Sequence, residues 1–254
     1  MNSVFLKRLP LAERWRLAAE ADGLARLAET GAIRVPRVLG EGADDSDAWL
    51  ELERLDLCSP DAASDARMGE ALARLHAATG TAFGLDRDNA IGAAPQPNAP
   101  SGDWVEFFRE RRLGYQLGLA ARNGHVGPIQ ERGRRLLEAL PAFFSGHHPR
   151  PSLLHGDLWG GNRAMLADGT PVVFDPAVYY GDREADVAMT RLFGGFGPRF
   201  YSAYQAAWPV DAGAAARSDL YNLYHVLNHL NIFGGGYRAQ AEALIARLLS
   251  VAGC

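Results

Sequence analysis

The sequence predicts an α+β protein of two lobes, a small mixed lobe at the N-terminus followed by a larger, mainly helical one. Short apolar runs of strand character cluster before Leu55, whereas apolar positions recur at helical spacing from Ser59-Pro60 onward. The 254 residues are enough chain to bury a core in each lobe. Residues 3–7 read as a strand, and residues 11–30 as an amphipathic helix with Leu17, Leu24 and Leu27 on its apolar side, stopped at Gly31. Residues 35–39 and 49–55 read as two further strands. Helices follow over 66–78, 103–122, 129–144, 184–193, 215–233 and 237–251. Between the first two of these, residues 83–102 are rich in Gly, Pro, Asn and Asp and read as a long loop able to line a cleft. Residues 163–166 and 171–174, joined through Asp168-Gly169, read as a β-hairpin. The expected division is 1–57 and 58–254.

Composition narrows the function. A net charge of −4 argues against nucleic-acid binding, which draws its affinity from a basic face. No apolar run approaches the ~18 to 20 residues of a membrane span, and the first ten residues lack the apolar stretch of a signal peptide. Cys58 and Cys254 offer neither a disulfide framework nor metal-ligand spacing, which suits a reducing cytoplasm. Lys7 is the one lysine among 26 basic residues. A chain so biased toward arginine is expected to keep a lysine where a compact ammonium is needed.

The chemistry concentrates around the hairpin. Residues 155–162 read HGDLWGGN, and Asp175 follows the second hairpin strand. Phosphoryl transfer needs a carboxylate at the acceptor hydroxyl, with an amide and a second carboxylate to hold Mg²⁺ on the nucleotide phosphates. The His-x-Asp-x-x-x-x-Asn spacing with a later Asp matches the protein-kinase catalytic loop. Asp157 is then the expected base, and Asn162 and Asp175 the expected metal ligands. Each alone would be an ordinary turn or strand-end residue. Together with Lys7 on a strand before a helix carrying Glu13 and Glu20, they form a set expected to orient a nucleotide's phosphates.

Longer strings resemble the fructosamine kinase family, of the aminoglycoside phosphotransferase and choline kinase branch of the protein-kinase-like fold. They are HGDLWGGN, DPAVYYGDREAD (175–186), MTRLFGGF (189–196) and LYNLYHVLNHLNIFGGGY (220–237). VFLK (4–7), EADGLARL (20–27), FGLDRDNAIG (83–92) and DWVEFFRERRL (103–113) extend the likeness almost end to end. The resemblance implies that Lys7 meets the nucleotide phosphates with Glu20 as its helix partner, Glu13 being the second choice. It implies that adenine lies against the segment holding Glu51, Glu53 and Leu55. It implies a ketosamine acceptor, such as a ribulosamine or fructosamine on a lysine amine, met as a small molecule or as glycated lysine or protein, and a role in deglycation. Two strands and a phosphate-covering turn usually precede VFLK in this family, whereas here three residues do, so the expectation is either a natural protein longer than this sequence or a shortened nucleotide lobe with weak nucleotide binding.

Four further residues are candidate acceptor contacts. Trp159 follows Asp157 by two positions and could stack on a sugar or an amine, or simply pack. Glu184, in an acidic helix start, could attract a cationic substrate or serve the helix dipole. Asn228 and His229 enter through the family string. The arginines at 109, 111 and 112 are expected on a solvated helix face. Two other readings stay open: a kinase for an aminoglycoside or choline-like hydroxyl, and a pseudokinase that binds nucleotide or sugar without turnover.

Overall fold

The structure, a computed structural model, describes residues 4–254, so Ser3 of the first expected strand lies outside the described residues. Strand β1 (Val4–Pro10) leads through a single 3₁₀ turn into α1 (Arg14–Glu29). Strands β2 (Val38–Ala43) and β3 (Asp47–Glu53) complete an antiparallel sheet in the order β1-β3-β2. The alternation of β3 is resolved in packing: Ala48, Leu50 and Leu52 turn inward and meet Leu17, Leu24 and Leu27 of α1. The strand expected at 35–39 is displaced to Val38–Ala43. Pro36 has no N–H for a ladder, and Val35 is buried in the core instead. The edge strand then runs through Gly42, which lies against the Trp49 ring where a Cβ would collide.

Helix α2 (Ala62–His76) begins earlier than expected because Asp61 and Ser64 form a reciprocal capping box. The loop at 83–102 contains a small hairpin, β4 (Asn89–Ile91) and β5 (Ala94–Gln96), turning at Gly92 with φ +59°. The helix expected over 103–122 is one rod in three parts: α3 (Trp104–Phe107), a π-helical segment (Phe108–Gly114) and α4 (Tyr115–Arg122). The wide π turn re-aims Arg112 into the core, against its expected solvated position. Its guanidinium donates to Pro97 O at 2.6 Å and Asn98 Oδ1 at 2.7 Å and lies 3.9 Å over the Tyr179 ring.

The rest of the chain forms α5 (Pro128–Ala139), β6 (Ser152–Leu154), β7 (Arg163–Met165), β8 (Pro171–Val173) and β9 (Tyr179–Gly181). Helices α6 (Glu184–Leu192), α7 (Pro198–Ala207), α8 (Ala214–Phe233) and α9 (Arg238–Ala252) follow. The β7–β8 hairpin is the one expected; the β6–β9 pair and α7 are additions. Buried residues form two clusters. One joins the sheet and α1 to α2 and α7, and the other centres on α8 and α9. Among the described residues no helix is long and apolar enough to cross a membrane.

Candidate active site

Strand β6 delivers the chain into His155-Gly156-Asp157, and a 3₁₀ turn over Gly160–Asn162 sends it into β7. The two segments that carry the expected catalytic groups are tied together by their own polar atoms. Asn162 Nδ2 donates to Asp157 O at 2.8 Å and to Asp157 Oδ2 at 3.3 Å, and Phe174 N donates to Asn162 O at 3.1 Å. His155 Nε2 lies 3.0 Å from Phe174 O, and a carbonyl only accepts, so the proton sits on Nε2. Its Nδ1 then accepts from Asp157 N at 3.3 Å. Burial lowers the pKa of His155, in keeping with this neutral form. Gly156 is required here: its φ is +83°, and a Cβ would run into the carbonyl of Ala177.

Asp186 on α6 holds this loop from beneath. It accepts from His155 N at 2.7 Å and from Gly156 N at 2.9 Å, with His76 Nε2 at 3.2 Å. Burial alone would raise its pKa, but His76, His155 and the backbone donors outweigh that and hold it low. In the sequence Asp186 was one carboxylate of an acidic helix start, and nothing local distinguished it.

Lys7, Glu20, Asp157, Asn162 and Asp175 line one cavity of 190 Å³. Lys7 Nζ donates to Glu20 at 2.6 Å and to Asp175 at 2.5 Å. Burial opposes its charge, but the two carboxylates outweigh burial and raise its pKa, so the ammonium is retained. Glu13 turns away to pair with Arg16. Asp175 is the one non-glycine among the described residues with positive φ, at +56°. Such strain persists where surrounding structure enforces it, often at functional sites. Burial, reinforced by the neighbouring Asp175 charge, pushes Asp157 up to about 7. A base poised near neutrality suits proton transfer from a hydroxyl.

A second cavity of 360 Å³ adjoins the first through Lys7 and Asp175, and Phe5, Leu52, Leu55, Leu57 and Phe174 give it apolar walls. Glu53 lines its rim, its carboxylate held by Arg34 and Arg37. Glu51 sits on the same strand but outside this lining, beside Gly40. A further cavity, 620 Å³ beside Trp104, Phe144 and His147, contains none of the expected site residues.

The remaining candidates divide. Trp159 is half-exposed beside the loop, edge-on to Phe193. Glu184 is 3% exposed, and its carboxylate takes two bonds from Arg217 at 2.7 and 3.0 Å, so it is committed to the interior rather than the cleft. Asn228 is likewise buried, accepting from Gln116 at 3.2 Å. His229 lies partly exposed on α8.

The Glu184–Arg217 pair belongs to a network with a pH signature. His147 bridges Asp182 at 2.7 Å and Asp211 at 3.0 Å, and Tyr221 OH donates to Asp182 at 2.6 Å. Burial disfavours the charged imidazole, but the Asp182 bond and charge prevail and raise its pKa. A raised histidine stabilises the fold fully below its unfolded pKa and loses that contribution as pH rises through the folded one. The stability gap between wild type and His147→Gln in urea melts is therefore larger at about pH 6 than at about pH 8. An equal gap at both would contradict the charged bridge.

An apolar slot of a size for a flat base opens onto a lysine ammonium suited to a polyphosphate and onto hard carboxylate and amide oxygens suited to a divalent cation. That division of labour, under a small sheet and above a helical lobe, is that of a kinase-like phosphotransferase. The family model for fructosamine kinase matches residues 1–251. A probable ketoamine kinase of Synechocystis is 45% identical over 249 residues, covering 97% of this chain and 83% of the relative. The chloroplastic protein-ribulosamine 3-kinase of Arabidopsis thaliana is 43% identical over 229 residues, 89% of this chain and 70% of its own. A crystal structure from Haemophilus somnus, described as a candidate fructosamine-3-kinase, superposes with TM-score 0.90 at 34% identity, covering 97% of this chain and 83% of that one. Solved aminoglycoside phosphotransferases and choline kinases share the fold at lower identity. The chain belongs to the fructosamine kinase family, and it is an ATP-dependent phosphotransferase of the protein-kinase-like fold.

Proposed function

We propose that the protein transfers the γ-phosphoryl group of ATP to a sugar hydroxyl of a ketosamine, a ribulosamine or fructosamine carried on an amine, in cytoplasmic deglycation repair. The observation that carries this reading is the single cavity shared by Lys7, Glu20, Asp157, Asn162 and Asp175, in a chain whose relatives are named for ketoamines and ribulosamine. The small lobe supplies most of the nucleotide site, with adenine in the slot walled by Leu52 and Leu55 and, from the larger lobe, by Phe174. Lys7, oriented by Glu20, meets the phosphates. Asp157 takes the proton of the attacking hydroxyl as the O–P bond forms and ADP leaves.

The donor set fits Mg²⁺. Asn162 turns its amide nitrogen to Asp157, and among the described residues its Oδ1 has no hydrogen-bond partner. Asp175 accepts from Lys7 through one oxygen and lines the same cavity as Asn162. Both are the hard oxygen donors this ion prefers. When bound, Mg²⁺ neutralises charge between the β- and γ-phosphates.

The test is ADP release with ATP, Mg²⁺ and a panel of acceptors: a ribulosamine on lysine, the matching fructosamine, an aminoglycoside and choline. Turnover confined to the ketosamines is expected. Turnover of the aminoglycoside or choline alone would move the acceptor class, and nucleotide binding with no acceptor turned over would favour a pseudokinase.

A further inference from the structure

An unbroken series of aromatic rings runs from the catalytic loop to the end of α8. Trp159 meets Phe193 at 6.2 Å between ring centroids, and Phe193 meets His229 at 4.9 Å. His229 in turn meets Phe233 at 5.4 Å and Tyr237 at 5.1 Å. Three of these rings are partly exposed to solvent, Trp159 at 39%, Phe193 at 40% and Phe233 at 67%. Single exposed apolar residues are ordinary, whereas a contiguous strip marks a contact surface. The strip begins two residues from Asp157, and Gly92, which lines the Asp157 cavity, lies against Ile232, the residue before Phe233, so the strip adjoins that cavity.

His229 adds a polar element to the strip. Its Nδ1 lies 2.8 Å from the backbone carbonyl of His225, which only accepts, so Nδ1 carries a proton. In the neutral ring Nε2 is then a lone-pair acceptor, and among the described residues it has no partner. A surface of aromatic rings with one acceptor suits an ammonium on an aliphatic stem, because aromatic rings attract cations and methylenes bury against them. The sugar hydroxyls of a ketosamine would make poor use of it.

We propose that Phe193, His229, Phe233 and Tyr237 form the subsite for the amine-linked arm of the acceptor, with His229 Nε2 accepting the ammonium N–H and the rings covering the stem. The arm of a glycated lysine side chain is the occupant, so the strip sets preference among ketosamines by their amine and not by their sugar. This rests on the ketosamine reading of the site.

The test compares two acceptors, ribulosamine on Nα-acetyl-lysine and ribulosamine on methylamine, in wild type and Phe233→Ala. Phe233 is mostly outside the core, so its truncation leaves the fold in place. The variant is expected to raise KM for the lysine acceptor about tenfold, with kcat, KM for ATP and KM for the methylamine acceptor within about twofold. Equal changes for both acceptors, or none, would overturn the proposal. A second readout needs no turnover: saturation-transfer NMR with Nα-acetyl-Nε-methyl-lysine, which carries the arm but no sugar. Transfer to its methylenes in wild type, lost in Phe233→Ala, supports the subsite even if no ketosamine is phosphorylated, in which case the ketosamine reading alone fails. No transfer in wild type would overturn the subsite.

Discussion

Asp157→Ala is expected to lower kcat by about 10²- to 10⁴-fold, the usual weight of a positioned proton acceptor, with KM for ATP little changed. The fold should survive the change. Asp157 accepts only a 3.3 Å bond from Asn162, and the tighter 2.8 Å bond from the same amide goes to its backbone carbonyl, which alanine keeps. The stability effect has a definite sign. Asp157 is an acid held up to about 7 in the folded protein by burial and by Asp175, against 3.8 ordinarily. The folded state therefore holds the proton more tightly than the unfolded chain, and stability falls as pH rises from the unfolded pKa through the folded one. Asp157→Asn removes that liability, so the metal-free variant should unfold at higher urea than wild type at about pH 8, while turning over far more slowly. Wild-type turnover in either variant would remove Asp157 from the chemistry.

Asp186→Ala should be the most damaging single change to the loop. It strips the acceptor from His155 N and Gly156 N and leaves His76 without its carboxylate, all in the interior. Leaving a buried donor unsatisfied costs about 1 to 3 kcal/mol, and here three donors lose one acceptor together. A stability loss of at least about 3 kcal/mol in urea is expected, together with lost turnover even where the variant remains folded. Asp186→Asn keeps one oxygen for one of the two N–H groups and should fall between. A stable Asp186→Ala enzyme with normal kcat would show that the loop is held by other contacts.

What the sequence disclosed was the part written in contiguous residues. HGDLWGGN, the Asp-Gly hairpin and Asp175 lie within about twenty positions, and the structure places Asp157, Asn162 and Asp175 in one cavity with Lys7 and Glu20. The long amphipathic helices were legible for the same reason, since their period is local. What stayed hidden depends on partners far along the chain. Glu184 looked like a free carboxylate because Arg217, its partner, is 33 residues away. Arg112 looked solvated because a π turn, which leaves no mark in hydrophobic period, points it inward. Strands β6 and β9 are three residues each and entirely tertiary in origin, pairing across the catalytic loop and hairpin. Helix α7 begins at Pro198 directly after Gly197, with proline at its first position.

The central claim is phosphoryl transfer to the sugar of a ketosamine, and the most direct measurement is the product. Ribulosamine-bearing Nα-acetyl-lysine would be incubated with ATP, Mg²⁺ and the 254-residue chain, beside an Asp157→Ala control, and followed by mass spectrometry and ³¹P–¹H correlation. The expected result is a gain of one phosphoryl group on a sugar hydroxyl, at a rate well above the control. ATP turnover with no phosphate on the sugar, or the same product at the same rate in the control, would contradict the account.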